Sequence, residues 1–160
     1  MGVQRRCVHR VGISSCMGSN IVDLKEQLKR DEGVVNHAYQ DSLGFTTIGC
    51  GRLIDARRSG GLRDSEVDFL LNNDIEEKTA QVLAALPWAS KLSEPRLGVL
   101  LNMAFQLGTR GILKFHRMLG SIEDGQYGEA AMEMLDSLWA QQTPERAKRL
   151  AKQMLTGEWV

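Results

Sequence analysis

The sequence predicts a mainly helical α+β protein: a small lobe built on a β-hairpin, a long connecting helix and a larger helical lobe. Three observations carry this prediction. Residues 38–48 hold two short extended runs around Asp-Ser-Leu-Gly, a turn with Asp at its first and Gly at its fourth position. From about Asp64 or Ser65 to Leu86, apolar residues recur at helical spacing over a length no strand reaches. Beyond Pro87, Ser93-Glu-Pro-Arg and Thr143-Pro144 each open a further helix with a capping residue and an early proline.

The first helix starts near Asn20, with Ser19 or Asn20 as cap and Ile21, Leu24 and Leu28 as its apolar stripe. Gly33 should end it, which puts Asp31 and Glu32 in the last turn. There the helix dipole is negative and cations are favoured over carboxylates. A carboxyl beside another and beside that dipole end tends to keep its proton, so the pKa of Glu32 is expected to rise, as a general acid requires. The plainer alternative is a solvated acid at a frayed helix end.

Asp41 opens the hairpin turn. Taken alone it would simply bond its own turn, but together with Glu32 it makes a pair of carboxyls of the kind used in glycoside hydrolysis, one protonating the leaving oxygen and one helping water attack. Along the second strand Phe45, Thr47 and Gly49 share a face, so the Thr47 hydroxyl is placed to hold that water, although a strand threonine is ordinarily only a β-former. Gly49-Cys50-Gly51 keeps this wall free of bulk and is no phosphate loop, since no Lys-Ser or Lys-Thr follows.

Residues 52–54 suggest a third short strand and 57–61 a loop. The long helix carries Val67, Leu70, Leu71, Ile75, Val82 and Leu83 on one stripe. The helix after Ser93 is expected to be central and buried through Leu97, Leu100, Leu101, Ala104 and Phe105. Residues 111–119 and 122–138 read as short helices with a glycine-containing break, and the helix after Pro144 bears Arg146, Lys148, Arg149 and Lys152, a face that is usually only solvated.

The 160 residues fit one domain, or a small lobe and a larger one; 42% apolar and 25% charged content is ordinary for a globular protein. Residues 1–19 are expected to be a mobile tail, too short and polar in its apolar part to be a convincing signal peptide. Residues 20–160 form the folded domain, divided as 20–63, 64–86 and 87–160. Lys and Arg total 20 and so do Asp and Glu; Arg5, Arg6 and Arg10 precede residue 20 with no acid, leaving 17 basic against 20 acidic residues beyond it. This balance argues against nucleic acid as a partner. No run is long enough to span a bilayer, so no membrane insertion is expected, and the chain is expected to be a monomer. Three cysteines, two of them Cys7 and Cys16 in the tail, give no disulfide framework, though those two could bridge if oxidised; scattered histidines give no metal-ligand spacing, and no cofactor is expected.

Glu32, Asp41 and Thr47, at their spacing within DEG…YQDSLGFTTIGCG, together with residues 102–106, Trp139 and residues 143–149, resemble the T-even-type phage lysozymes, glycoside hydrolase family 24. The resemblance runs from about Asn20 to the C-terminus. It implies hydrolysis, with inversion, of the β-1,4 bond between N-acetylmuramic acid and N-acetylglucosamine in peptidoglycan, in a cleft between the two lobes. By it Glu32 is the acid, Asp41 the second carboxyl and Thr47 the water-orienting hydroxyl, while Leu53, Phe105 and Gln106 contact saccharide. Two further saccharide positions appear here as Met118 and Glu133, where a small or amide side chain is usual. Arg52 stands where the family usually has His, with Asp74 at the position of its acidic partner, so an Arg52–Asp74 ion pair is expected; Arg146 and Arg149 are expected near Glu32 and Asp31. The chain lacks the strongly basic character usual in the family, which weakens attraction to an anionic wall. The resemblance further implies synthesis in a host cytoplasm and action on the wall from the periplasm, after release by a separate factor. The competing reading is a lysozyme-like peptidoglycan-binding module without turnover.

Overall fold

The computed structural model describes residues 17–160. The expectations for residues 1–16, including a Cys7–Cys16 bridge, lie outside the described residues. The chain divides after Asp64 into two compact units.

The first unit comprises α1 (Met17–Glu32) and a three-stranded antiparallel sheet of β1 (Val35–Gln40), β2 (Thr46–Gly49) and β3 (Arg52–Leu53), in the order β1-β2-β3. Helix α1 takes in residues 17–19, which the sequence assigned to the tail, and so starts ahead of the expected Ser19 or Asn20 cap. It ends where expected, at Gly33, whose φ of 73° lies in the left-handed region that stops a helix at low cost. The hairpin and the short third strand follow the reading of the sequence, though β1 begins earlier, at Val35.

Among its described residues this unit fully buries only two side chains, both polar, Thr47 and Asp55, while Leu24 and Leu28 of α1 stay exposed. A unit this small has little surface to hide, and polar clamps hold its loop. Asp55 accepts from the backbone N–H of Thr46 (2.9 Å) and of Arg57 (3.0 Å), and from the Arg57 guanidinium through Nε (2.9 Å) and Nη2 (2.6 Å). Arg57 also donates to the Gly44 carbonyl at 2.8 Å, tying the loop after β3 to the hairpin turn. These bonds, the Arg57 guanidinium first, hold the Asp55 carboxyl well below the usual carboxylate range.

The second unit begins within α2 (Asp64–Ala85) and continues through a 3-10 turn (Pro87–Lys91), α3 (Glu94–Leu107), α4 (Thr109–Ile112), α5 (His116–Glu123), α6 (Tyr127–Leu135), α7 (Leu138–Gln142) and α8 (Pro144–Thr156). Its core gathers Val82, Leu100, Met103, Ile112, Ile122, Met134 and Met154, with Trp139 closing one end in an edge-on contact with Phe115 (centroids 6.4 Å apart). Several local expectations are corrected. Of the α2 stripe, Val82 is buried but Val67, Leu70, Leu71 and Ile75 are exposed, because the helical core packs only the C-terminal part of this helix. The two helices expected over 111–138 are four, from α4 to α7; Ile122 belongs to α5, and Gly125 at φ 74° makes the break after it. Ser93 sits at the N-cap of α3 without a side-chain cap bond. The Thr143 hydroxyl, expected to cap α8, donates instead to the Trp139 carbonyl at 3.0 Å, on the helix before it. In α3, Leu100 and Ala104 are buried as expected, but Phe105 is 43% exposed.

Candidate active site in the hairpin unit

The register of the sheet builds the site. Tyr39 on β1 pairs with Thr47 on β2, and Thr47 with Leu53 on β3, so these three residues form one row across the sheet and point to one face. All three line a pocket of about 400 Å³ whose wall also includes Glu32, Asp41, Phe45 and Arg58. The catalytic trio read from the sequence and Leu53 therefore meet in one place.

Each member is held by the local chain. Glu32 is the last residue of α1. The turn after β2 comes close to it at Gly51, where a Cβ would lie 3.7 Å from Glu32 Oε2 and where φ is 70°. Asp41 has the role its turn predicts: its Oδ1 accepts from the backbone N–H of Leu43 and of Phe45, both at 2.9 Å, and its carbonyl accepts from Gly44 N–H at 3.0 Å. Both side-chain bonds fall on one oxygen, so the carboxylate is oriented without being used up. Thr47 is 4% exposed and its hydroxyl donates to the Phe45 carbonyl at 3.2 Å. With its proton committed, that oxygen faces the pocket as an acceptor.

The sequence reading missed Tyr39, Phe45 and Arg58 as pocket walls. Alternation put Phe45 on the face of Thr47, whereas only the register of the sheet brings Tyr39 to that face. Arg58 ends a 3-10 turn (Ala56–Arg58) capped by Asp55, and its guanidinium carbon lies 4.6 Å from the Phe45 ring centroid.

Other expected site residues divide between the units. Arg52, in β3, donates to the Gly61 carbonyl through Nη2 at 2.8 Å. Asp31 and Asp74 are both exposed, one at the end of α1 and one in α2. In the helical unit Gln106 Oε1 accepts from Trp139 Nε1 and from Arg146 Nη1, each at 2.9 Å, which leaves the Gln106 amide nitrogen to donate elsewhere. Phe105 and Arg146 share a second pocket, of about 310 Å³, with Leu71, Ile75 and Asn102. Arg149 is exposed on α8. Met118 is buried, and Glu133 is paired with Arg117 at 2.5 Å. Among the described residues no group of three His, Cys, Asp or Glu side chains is arranged to hold a metal ion, and no helix is long and apolar enough to cross a membrane.

A small antiparallel sheet that presents two carboxyls and a hydroxyl in one pocket, joined in sequence to a bundle of helices, is the lysozyme-like class of α+β protein. The phage lysozyme family model matches residues 29–154, and the chain belongs to that family. It is similar to probable T4-type lysozyme 1 of Dictyostelium discoideum, at 29% identity over 86% of this chain and 96% of that protein. Probable T4-type lysozyme 2 of the same organism matches at the same identity and coverage. The pre-baseplate central spike protein Gp5 of Enterobacteria phage T4 is 30% identical over 85% of this chain, but the match spans only 28% of that longer protein. The chain is accordingly a glycoside hydrolase of the lysozyme type, a hydrolase of peptidoglycan.

Proposed function

We propose that the chain is a muramidase cleaving the β-1,4 bond between N-acetylmuramic acid and N-acetylglucosamine, with inversion at the anomeric carbon. The observation that carries this reading is the meeting of Glu32, Asp41 and Thr47 around one pocket wide enough for a sugar ring. Glu32 protonates the glycosidic oxygen as the bond breaks. Asp41, its carboxylate aimed by the Leu43 and Phe45 amides, takes a proton from water attacking the opposite face of the ring. Thr47 accepts the other proton of that water in a hydrogen bond and so fixes its approach. Leu53, in the same row as Thr47, packs against the saccharide. Within the helical unit, Phe105 and Gln106 are the residues proposed to contact glycan, the Gln106 amide nitrogen serving as donor.

Glu32→Gln should abolish reducing-end release from purified peptidoglycan, and proton NMR of the first product formed should show the α-anomer; an unchanged rate in the variant would remove Glu32 as the acid. The second reading, a wall-binding module without turnover, is favoured by buried Met118 and by Glu133 already occupied by Arg117. Sedimentation with peptidoglycan but no clearing of permeabilised bacteria would select it. As an endolysin-type enzyme the protein would be made in a host cytoplasm and meet the wall from the periplasmic side once a separate factor breaches the membrane. It would act as a monomer, without a cofactor, on peptidoglycan and not on nucleic acid.

A further inference from the structure

Two consecutive arginines in the hairpin unit meet different fates. Arg57 is consumed by structure, its Nε and Nη2 bonded to Asp55 and to the Gly44 carbonyl. Arg58 is not: among the described residues no carboxylate or carbonyl bonds its guanidinium, which is steadied over the Phe45 ring at 4.6 Å and lines the pocket that holds Glu32 and Asp41. A cation–π contact positions a guanidinium without occupying it with an anion, and the planar fork that remains suits a carboxylate. The pocket also presents the Asp41 carboxylate to its substrate, a like-charge problem for any anionic ligand. The rest of the chain offers no help at long range, since its formal net charge is zero.

We propose that Arg58 is a specificity-determining residue that binds a carboxylate of the glycan substrate and so orients the strand over Glu32 and Asp41. This rests on the muramidase reading and deepens it. Peptidoglycan offers the group from two sources: the lactyl ether of muramic acid, which ends in a carboxyl, and the stem peptide that is joined to that carboxyl in the intact wall.

The test compares the whole chain with Arg58→Gln and Arg58→Lys on three substrates: untreated sacculi, sacculi whose carboxyls have been converted to neutral amides with a carbodiimide and methylamine, and glycan strands stripped of stem peptides. Arg58→Gln should raise KM on untreated sacculi about tenfold, the worth of one charge-assisted hydrogen bond, with kcat little changed. The unaltered protein should show the same rise on amidated sacculi, where Arg58→Gln should add nothing, and Arg58→Lys should recover part of the loss. If the loss vanishes on stripped strands, the partner is a stem-peptide carboxylate alone; if it persists there, the lactyl carboxylate that stripping sets free also serves. An unchanged KM on untreated sacculi, or an equal loss on amidated sacculi, overturns the proposal. So does a drop in kcat on every substrate with a displaced pH profile, which would mean that Arg58 acts on Glu32 or Asp41 instead. Should no reducing ends appear with any form, the muramidase reading fails; sedimentation of the unaltered chain and Arg58→Gln with untreated and amidated sacculi then decides the role of Arg58 separately, equal binding in all four mixtures ruling it out.

Discussion

The Thr47 hydroxyl donates to the carbonyl of Phe45, two residues before it on the same strand, at 3.2 Å. This local bond decides what a buried threonine can do in the pocket, because an oxygen whose proton is spent can only accept. Thr47→Val keeps the shape and removes the acceptor. It should lower kcat roughly tenfold to a hundredfold, as expected for one lost hydrogen bond at the reacting water. Thr47→Ser should retain most activity. Initial rates of reducing-end release, with thermal unfolding recorded alongside, check this; a Val variant as fast as the parent would leave Thr47 a β-former and nothing more.

Asp55 gives the hairpin unit a dependence on acid. Its carboxyl is held below the ordinary value by the Arg57 guanidinium first and by the Thr46 amide next. A depressed folded-state pKa contributes stability that is fully present above the unfolded value, near 4, and is lost as pH falls through the folded value. Asp55→Asn should therefore unfold at a lower temperature than the parent at neutral pH. The gap between the two should narrow only as pH is lowered below about 4. Melting curves across pH 2 to 7 measure it, and a gap that stays constant down to the acid end would contradict the assignment.

Gly51 lets the turn after β2 pass beside Glu32. Its φ of 70° is the obstacle to replacement, since a Cβ there would meet Glu32 Oε2 only at the ordinary distance of 3.7 Å. Gly51→Ala should cost about 1 kcal/mol of stability through backbone strain, with a smaller fall in activity than Glu32→Gln produces. Chemical denaturation paired with a clearing assay separates the two effects. Full stability with lost activity would mean that the methyl group, not the backbone, matters.

Gln106 receives the indole N–H of Trp139 and the Arg146 guanidinium on a single oxygen. Replacing it with Leu leaves the N–H of a buried Trp without that acceptor, at a cost of about 1–3 kcal/mol. The midpoint of unfolding should drop and the tryptophan emission should shift. Gln106→Glu, which keeps both acceptor contacts but has no amide to donate, should hold stability while raising KM for glycan; a normal KM would remove Gln106 from the substrate contacts.

Much of this protein can be read from its residues in order. Gly33 ends α1, Asp-Ser-Leu-Gly turns the hairpin and Pro95, Pro144 and Gly157 bound helices, because each acts on its own backbone within a few positions. The spacing of Glu32, Asp41 and Thr47 is likewise local, all of it lying within one helix end and one hairpin. Tertiary structure decided what depends on neighbours distant in sequence. Strand register put Tyr39 and Leu53 beside Thr47 and turned that row into a pocket floor. The helical core accepted Val82 and left Leu70 and Ile75 of the same stripe exposed. Of two adjacent arginines, the packing of the hairpin unit committed one to Asp55 and to the distant Gly44 carbonyl and left the other at the pocket wall. Periodicity assigns a side chain to a face of its own element, whereas burial and pairing depend on what packs against that face.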